Sequence, residues 1–175
     1  MAQKNRLQFI ILGLLNIESK TGYDLTKAFD SDIGEFWTAN HSQIYPLLKK
    51  MEQEQLITHH EIQAGPKLVK KSYDITPNGK ELFEKWLKEP SEADNSHDEF
   101  ILKLYFIDSK TSPLLPEMIN EQKQARQEKL NHLKQQMKDK FPTEKTKQNQ
   151  NGHYNVLKHA IQRENDYLKW LDEIK

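Results

Sequence analysis

No cysteine occurs in the 175 residues, which removes disulfides, thiolate nucleophiles, zinc-ribbon sites and thiol redox switching together and fits a reducing compartment. Glycine is scarce, six in all, and none stands in a phosphate-cradling loop, which argues against a nucleotide-dependent enzyme. Surplus charge is missing too: 26 Lys+Arg balance 26 Asp+Glu, so a case for nucleic acid has to come from local charge. Long apolar runs are absent. The nearest, Leu7 to Leu15, follows Lys4 and Arg6 and imitates a secretory leader. It is interrupted by Gln8, closed by Asn16 and Glu18, followed by no small-residue cleavage site, and too short to span a bilayer. The expectation is a cytoplasmic protein without membrane attachment, whose first run is a buried helix. A hydrophobic content of 35% suffices for a modest core plus one further buried surface, in one domain or two small ones.

What is present is an ordered series of elements. Arg6 to Ile17 reads as a helix, with Ser19-Lys20-Thr21-Gly22 as the break after it. Leu25, Ala28 and Phe29 mark a short helix from Tyr23, ended by a turn rich in Asp30, Ser31, Asp32 and Gly34. A third helix is expected to begin between Asn40 and Ser42 and to carry Ile44, Leu47, Leu48 and Met51 on one stripe, with Pro46 in its first turns. Leu56-Ile57-Thr58 and Leu68 to Ile75 read as strands around a hairpin tip at Gly65-Pro66. Thr76-Pro77 then opens a helix bearing Leu82, Phe83, Trp86 and Leu87. Three helices, two strands joined by a hairpin and a closing helix make a winged helix-turn-helix.

The polar stretch Pro90 to Ser96 reads as a linker, so the expected organisation is a winged-helix domain over 1–89, a linker over 90–97 and a helical domain over 98–175. The fold class is mainly α with an α+β wing. In the second part Phe100, Ile101, Leu104, Tyr105 and Ile107 mark one helix, and Met118, Ile119, Ala125, Leu130, Leu133 and Met137 a long charged one. Phe141-Pro142-Thr143 and Lys147 to Gly152 form a connection, and a final helix runs from about His153 to Ile174. That helix bears two adjacent apolar stripes, Tyr154, Leu157, Ile161, Leu168 and Leu171 beside Val156, Ala160, Tyr167 and Trp170. Two stripes suit either a second copy of the chain, with Leu157, Ile161, Leu168 and Leu171 as dimerisation residues, or two neighbours within one chain.

Ile11-Leu12-Gly13-Leu14-Leu15, Thr21-Gly22-Tyr23-Asp24-Leu25, Gln43-Ile44-Tyr45-Pro46-Leu47-Leu48 and Lys71-Ser72-Tyr73-Asp74-Ile75-Thr76-Pro77-Asn78-Gly79-Lys80 occur here in the order and spacing of one family. The chain resembles the PadR family of transcription regulators. With Phe36 to Pro46, Asp98 to Lys103, Gly152-His153-Tyr154 and Tyr167 to Leu171, the likeness extends along nearly the whole chain to phenolic-acid-responsive repressors of that family. The resemblance implies a homodimer held by C-terminal helices, which represses a palindromic promoter. A hydroxycinnamate or similar aromatic carboxylic acid then releases the DNA and permits expression of a phenolic acid decarboxylase.

Within that frame the third helix supplies both kinds of DNA contact. Ser42 and Gln43 stand at its N-terminal end, where helix-turn-helix proteins reach base edges, and Tyr45, Lys49 and Lys50 suit phosphates. The hairpin adds Gly65 at its tip with Lys67, Lys70 and Lys71; alternation puts Lys67 and Lys71 on one face and Lys70 on the other. Tyr23 either offers its hydroxyl to a phosphate or packs. An aromatic acid needs an apolar slot, a cation or donor for its carboxylate and a polar group for its ring hydroxyl. Trp37 and His41 by the start of the third helix, Lys67 on the wing, and His153 with Tyr154 at the start of the final helix are the candidates, and the resemblance favours His41, Lys67, His153 and Tyr154; a pocket between the two parts would couple ligand to DNA geometry.

Two other classes compete. His59-His60-Glu61 and His97-Asp98-Glu99 contain acid, base or ligand types, but neither has a metalloenzyme spacing, so no enzyme, metal or cofactor is expected. A winged helix used only for protein interaction is compatible with the neutral charge.

Overall fold

The computed structural model describes residues 6–31, 33–34, 37, 41–65, 68–91 and 98–174. Asp32, Phe36, Thr38, Asn40, Pro66, Lys67 and His97, invoked above, lie outside them, and of His41 and Gly65 only the backbone is described. The chain divides into two compact units, residues 1–93 and 94–175.

The first unit runs α1 (Arg6–Ile17), β1 (Lys20–Thr21), α2 (Gly22–Asp30), a 3-10 turn (His41–Gln43), α3 (Ile44–Gln53), β2 (Ile57–Gly65), β3 (Leu68–Ile75) and α4 (Pro77–Lys88). Its sheet is antiparallel with strand order β1-β3-β2. The apolar stripes meet in one core: Ile11, Leu12 and Leu15 of α1, Leu25 and Phe29 of α2, Ile44, Leu47, Leu48 and Met51 of α3, Ile57 of β2 and Tyr73 of β3. Each aliphatic side chain so buried contributes about 1.5–3 kcal/mol. From α4, Leu82 and Phe83 pack on that core and the Trp86 ring stacks on Phe9 at 4.7 Å between centroids.

Three details differ from the pattern reading. The segment taken as a break after α1 is a strand and a helix start: Lys20-Thr21 pairs with β3, and Gly22 opens α2 rather than closing α1. Thr21 and Asp24 form a reciprocal capping box, the Thr21 hydroxyl accepting from the Asp24 amide at 3.2 Å and the Asp24 carboxylate from the Thr21 amide at 3.1 Å. The α-helical part of α3 begins at Ile44, after a 3-10 turn that holds Ser42 and Gln43, and Gln43 makes no side-chain cap. The first wing strand is longer than Leu56 to Thr58 and runs to Gly65 with a register shift between Gln63 and Gly65.

The end of α3 rests on an unusual residue. Gln55 has φ 58°, and the Leu56 and Gln55 amides donate to the Met51 and Glu52 carbonyls at 2.9 and 3.0 Å. This is a Schellman ending with glutamine at the left-handed position that glycine normally fills. Gln55→Gly is expected to raise stability by about 0.5–1 kcal/mol through relief of the Cβ clash, read as a higher urea midpoint.

The second unit contains α5 (Glu99–Tyr105), α6 (Leu114–Lys140), α7 (Glu144–Asn149) and α8 (Asn151–Glu173). Ile107 lies beyond α5; the expected connection from Lys147 is largely α7, and Gly152 lies inside α8. Along α6 and α8, Leu133, Phe141, Leu157 and Ala160 form one core, with Met137, Tyr154 and Ile161 against it. Leu157 lies in this core, and Leu157 and Leu171 are each 1% exposed within the single chain. Ile161 and Leu168 are half-buried.

One buried charge stands on α8. Glu164 is fully buried and accepts from Arg126 Nη1 at 3.1 Å, with Lys129 at 3.4 Å and Arg163 at 3.7 Å. The other arm of Arg126 reaches Asp98 at 3.1 Å, and its guanidinium lies 3.8 Å from the Tyr167 ring centroid. Asp98 caps α5 through the Phe100 and Ile101 amides and accepts from the Tyr167 hydroxyl at 2.9 Å. Burial pushes the Asp98 carboxyl up, but Tyr167, the two amides and the Arg126 charge together outweigh it and hold the group below its ordinary value.

Candidate nucleic-acid interface

The buried stripe of α3 leaves Tyr45, Pro46, Lys49 and Lys50 on its exposed side, and Ser42 and Gln43 are exposed in the turn before it. Tyr45 and Lys49 stand four residues apart and so share one face. Lys50 is engaged locally, 3.6 Å from Glu54. Lys49 is exposed on that face.

The start of α2 and strand β3 bring two of the expected residues together. Tyr23 is 62% exposed, and its ring lies 5.6 Å from the Lys70 ammonium on the wing. Lys70 therefore faces α2, and Lys71, its neighbour on the strand, is exposed on the other face, in register with Glu61. Tyr23 and Lys70 come together; Lys71 does not join them.

The wing is tied to the body by pairs that pattern reading did not find. His59 of β2 meets Glu52 of α3, the Ser19 hydroxyl donates to Asp74 of β3, and His60 reaches the same carboxylate at 2.8 Å across the hairpin. The Ser19 bond first, and His60 after it, hold the Asp74 carboxyl below its ordinary value against the opposing effect of burial. His59 and His60 thus serve as pairing groups, and no cluster of three metal-ligating side chains occurs among the described residues. These pairs join α3, the segment before β1 and the two wing strands, so no spacing along the sequence signals them.

The residues nominated for an aromatic acid fall in both units. In the first, Trp37 is half-buried against the core, with the Arg6 guanidinium 5.5 Å from its ring. In the second, His153 and Tyr154 pack edge-on around the buried Phe141 ring at 5.3 and 5.6 Å, with the Lys147 ammonium 5.7 Å from the Tyr154 ring.

Residues 11–85 match the transcriptional regulator PadR-like family, and residues 97–175 match the family described as virulence activator alpha C-term. The chain is 38% identical to the negative transcriptional regulator PadR of Bacillus subtilis, over 96% of its own length and 94% of that protein's. It superposes on the crystal structure of Bacillus subtilis PadR in complex with operator DNA with a TM-score of 0.87 at 36% identity, covering 98% of this chain and 97% of that one. The crystal structure of the same protein in complex with p-coumaric acid gives a TM-score of 0.81 at 36% identity, covering 96% and 95%. No described helix is long and apolar enough to cross a membrane. The likeness to Bacillus subtilis PadR covers 96% of the chain, and the chain belongs to the PadR-like family of transcriptional regulators.

Proposed function

We propose that this chain is a cytoplasmic, dimeric repressor that binds a palindromic operator through α3 and the wing and is released by a phenolic acid, its target being a phenolic acid decarboxylase gene. The observation that carries the reading is that both units align, end to end, with a regulator known both on operator DNA and with p-coumaric acid. The exposed set Ser42, Gln43, Tyr45, Lys49 and Lys50, flanked by Tyr23, Lys70, Lys71 and the Gly65 tip, has the chemistry DNA requires: short polar groups for bases, cations and hydroxyls for phosphates. Lys70→Ala is expected to weaken operator binding and to lower the slope of log affinity against log salt by about one unit. A salt titration with an unchanged slope removes Lys70 from the interface.

For the dimer, the exposed apolar side chains favour α5 and the neighbouring side of α8. Ile101 is 49%, Leu102 59%, Tyr105 81% and Phe106 69% exposed. Beside them Ile101, Tyr167 and Trp170 line an open recess of about 450 Å³ rimmed by His159 and Arg163. An apolar patch of this kind marks an association surface. Trp37, His41, Lys67, His153 and Tyr154 stand as the contacts for the acid.

The experiment is a fluorescence-anisotropy titration of the promoter regions beside the gene, with and without p-coumarate. Nanomolar, sequence-selective binding that the acid reverses supports the reading. Weak binding that ignores sequence at physiological salt supports an interaction module instead. Since a ligand shifts an equilibrium only by its preference between states, hundredfold release requires about 2.7 kcal/mol of coupling.

A further inference from the structure

We infer that Gly22 is a positioning residue for Tyr45: the missing side chain at the start of α2 is the seat on which the Tyr45 ring is presented to DNA. A Cβ at Gly22 would stand 2.7 Å from Tyr45 Cε1, 3.2 Å from Cζ and 3.4 Å from the hydroxyl oxygen. The Cε1–Cζ edge of the ring therefore lies against Gly22, while 56% of Tyr45 remains exposed. The seat is firm. Thr21, immediately before it, is paired with Ser72 of β3 and closes the capping box with Asp24, and the Thr26 hydroxyl donates to the Gly22 carbonyl at 2.9 Å. Gly22 is buried and has no positive φ, so conformational freedom does not explain the glycine there. Close approach does.

The three atoms nearest the added methyl all belong to the Tyr45 side chain. A half-exposed ring yields by swinging toward solvent, which leaves helices α2 and α3 where they are. Alanine is also the better helix former. The substitution is thus expected to spare the fold and displace the ring, separating DNA affinity from stability. The inference rests on the DNA-binding reading above.

The test is a double-mutant cycle of wild type, Gly22→Ala, Tyr45→Ala and the double variant, with operator affinity read by anisotropy and ring resonances of ¹³C-tyrosine-labelled free protein read by NMR. Gly22→Ala is expected to lose about tenfold in affinity, the scale of one hydrogen bond to a charged group. In the Tyr45→Ala background it is expected to lose less than about twofold, and the Tyr45 resonances shift in the free protein. Equal losses in both backgrounds, or an unmoved Tyr45 resonance, overturn the inference. Should Gly22→Ala unfold, the thermal midpoint carries the same cycle: recovery in the double variant supports the seat, and equal loss in both backgrounds overturns it. If the wild type binds no promoter DNA selectively, the functional reading fails, and the resonances still decide whether Gly22 seats the ring.

Discussion

Gly79→Ala is expected to cost the first unit about 3 kcal/mol or more, a large part of the 5–15 kcal/mol typical of a whole domain. The reason is the kind of atom met. A Cβ at Gly79 would stand 2.0 Å from the Leu56 carbonyl oxygen and 3.0 Å from Ile75 Cγ1. Gly79 lies in the first turn of α4, whose cap is fixed at the same place: the Thr76 amide donates to that Leu56 carbonyl at 3.1 Å, and the Thr76 hydroxyl donates to the Gln55 carbonyl at 2.7 Å. No rotamer change relieves a backbone collision, so α4 has to move away from the α3–β2 turn, and its Leu82, Phe83 and Trp86 move with it. Urea unfolding followed by tryptophan fluorescence measures the loss. Gly152→Ala is the control. Nothing lies within 4 Å of a Cβ there, at the start of α8, so the same substitution is expected to be neutral or to gain up to about 1 kcal/mol from helix propensity.

Arg126→Met is expected to cost the second unit about 3 kcal/mol, because removing one partner of a buried ion pair leaves the other charge uncompensated. Met keeps much of the stem volume and deletes the fork that serves Glu164 and Asp98 together. Lys129 and Arg163, 41% and 52% exposed, stay near Glu164 and offset part of the loss. Adding Glu164→Leu is expected to recover most of the stability, since a buried pair replaced by apolar groups is often neutral or better. The pH response follows from Asp98. Its carboxyl is held low in the folded state, so its contribution is present above the unfolded value near ~3.9 and disappears as pH falls through the lower folded value. Asp98→Asn is expected to flatten the acid side of the stability profile, measured as thermal midpoint between pH 2 and 5.

The pattern of the sequence carried the elements whose signal is local. The Thr76-Pro77 start of α4, the stripe of α3 and the two long C-terminal helices are all periodicity and caps, and they occur where the spacing puts them. The features that were missed are non-local. β1 is two residues long and exists only because β3 is beside it. Gln55 ends α3 with no glycine to announce it. Two stripes on α8 could not say which neighbour each would meet: Leu157 is in the unit's own core and Leu171 is buried within the single chain, while Ile101, Leu102 and Tyr105 of α5 are exposed. For the candidate interface, residue type and position on α3 named the exposed groups, but the seat of Tyr45 on Gly22 and the approach of Lys70 to Tyr23 depend on how α2, α3 and the wing pack. No spacing along the chain encodes those distances.

The most direct test of a dimeric repressor reading DNA through α3 and the wing is hydroxyl-radical footprinting on the promoter, with and without p-coumarate. The account predicts two symmetric protected patches about one helical turn, roughly 10 base pairs, apart on one face of the duplex, which fade as the acid is added. No discrete protection, or protection the acid leaves untouched, would contradict it.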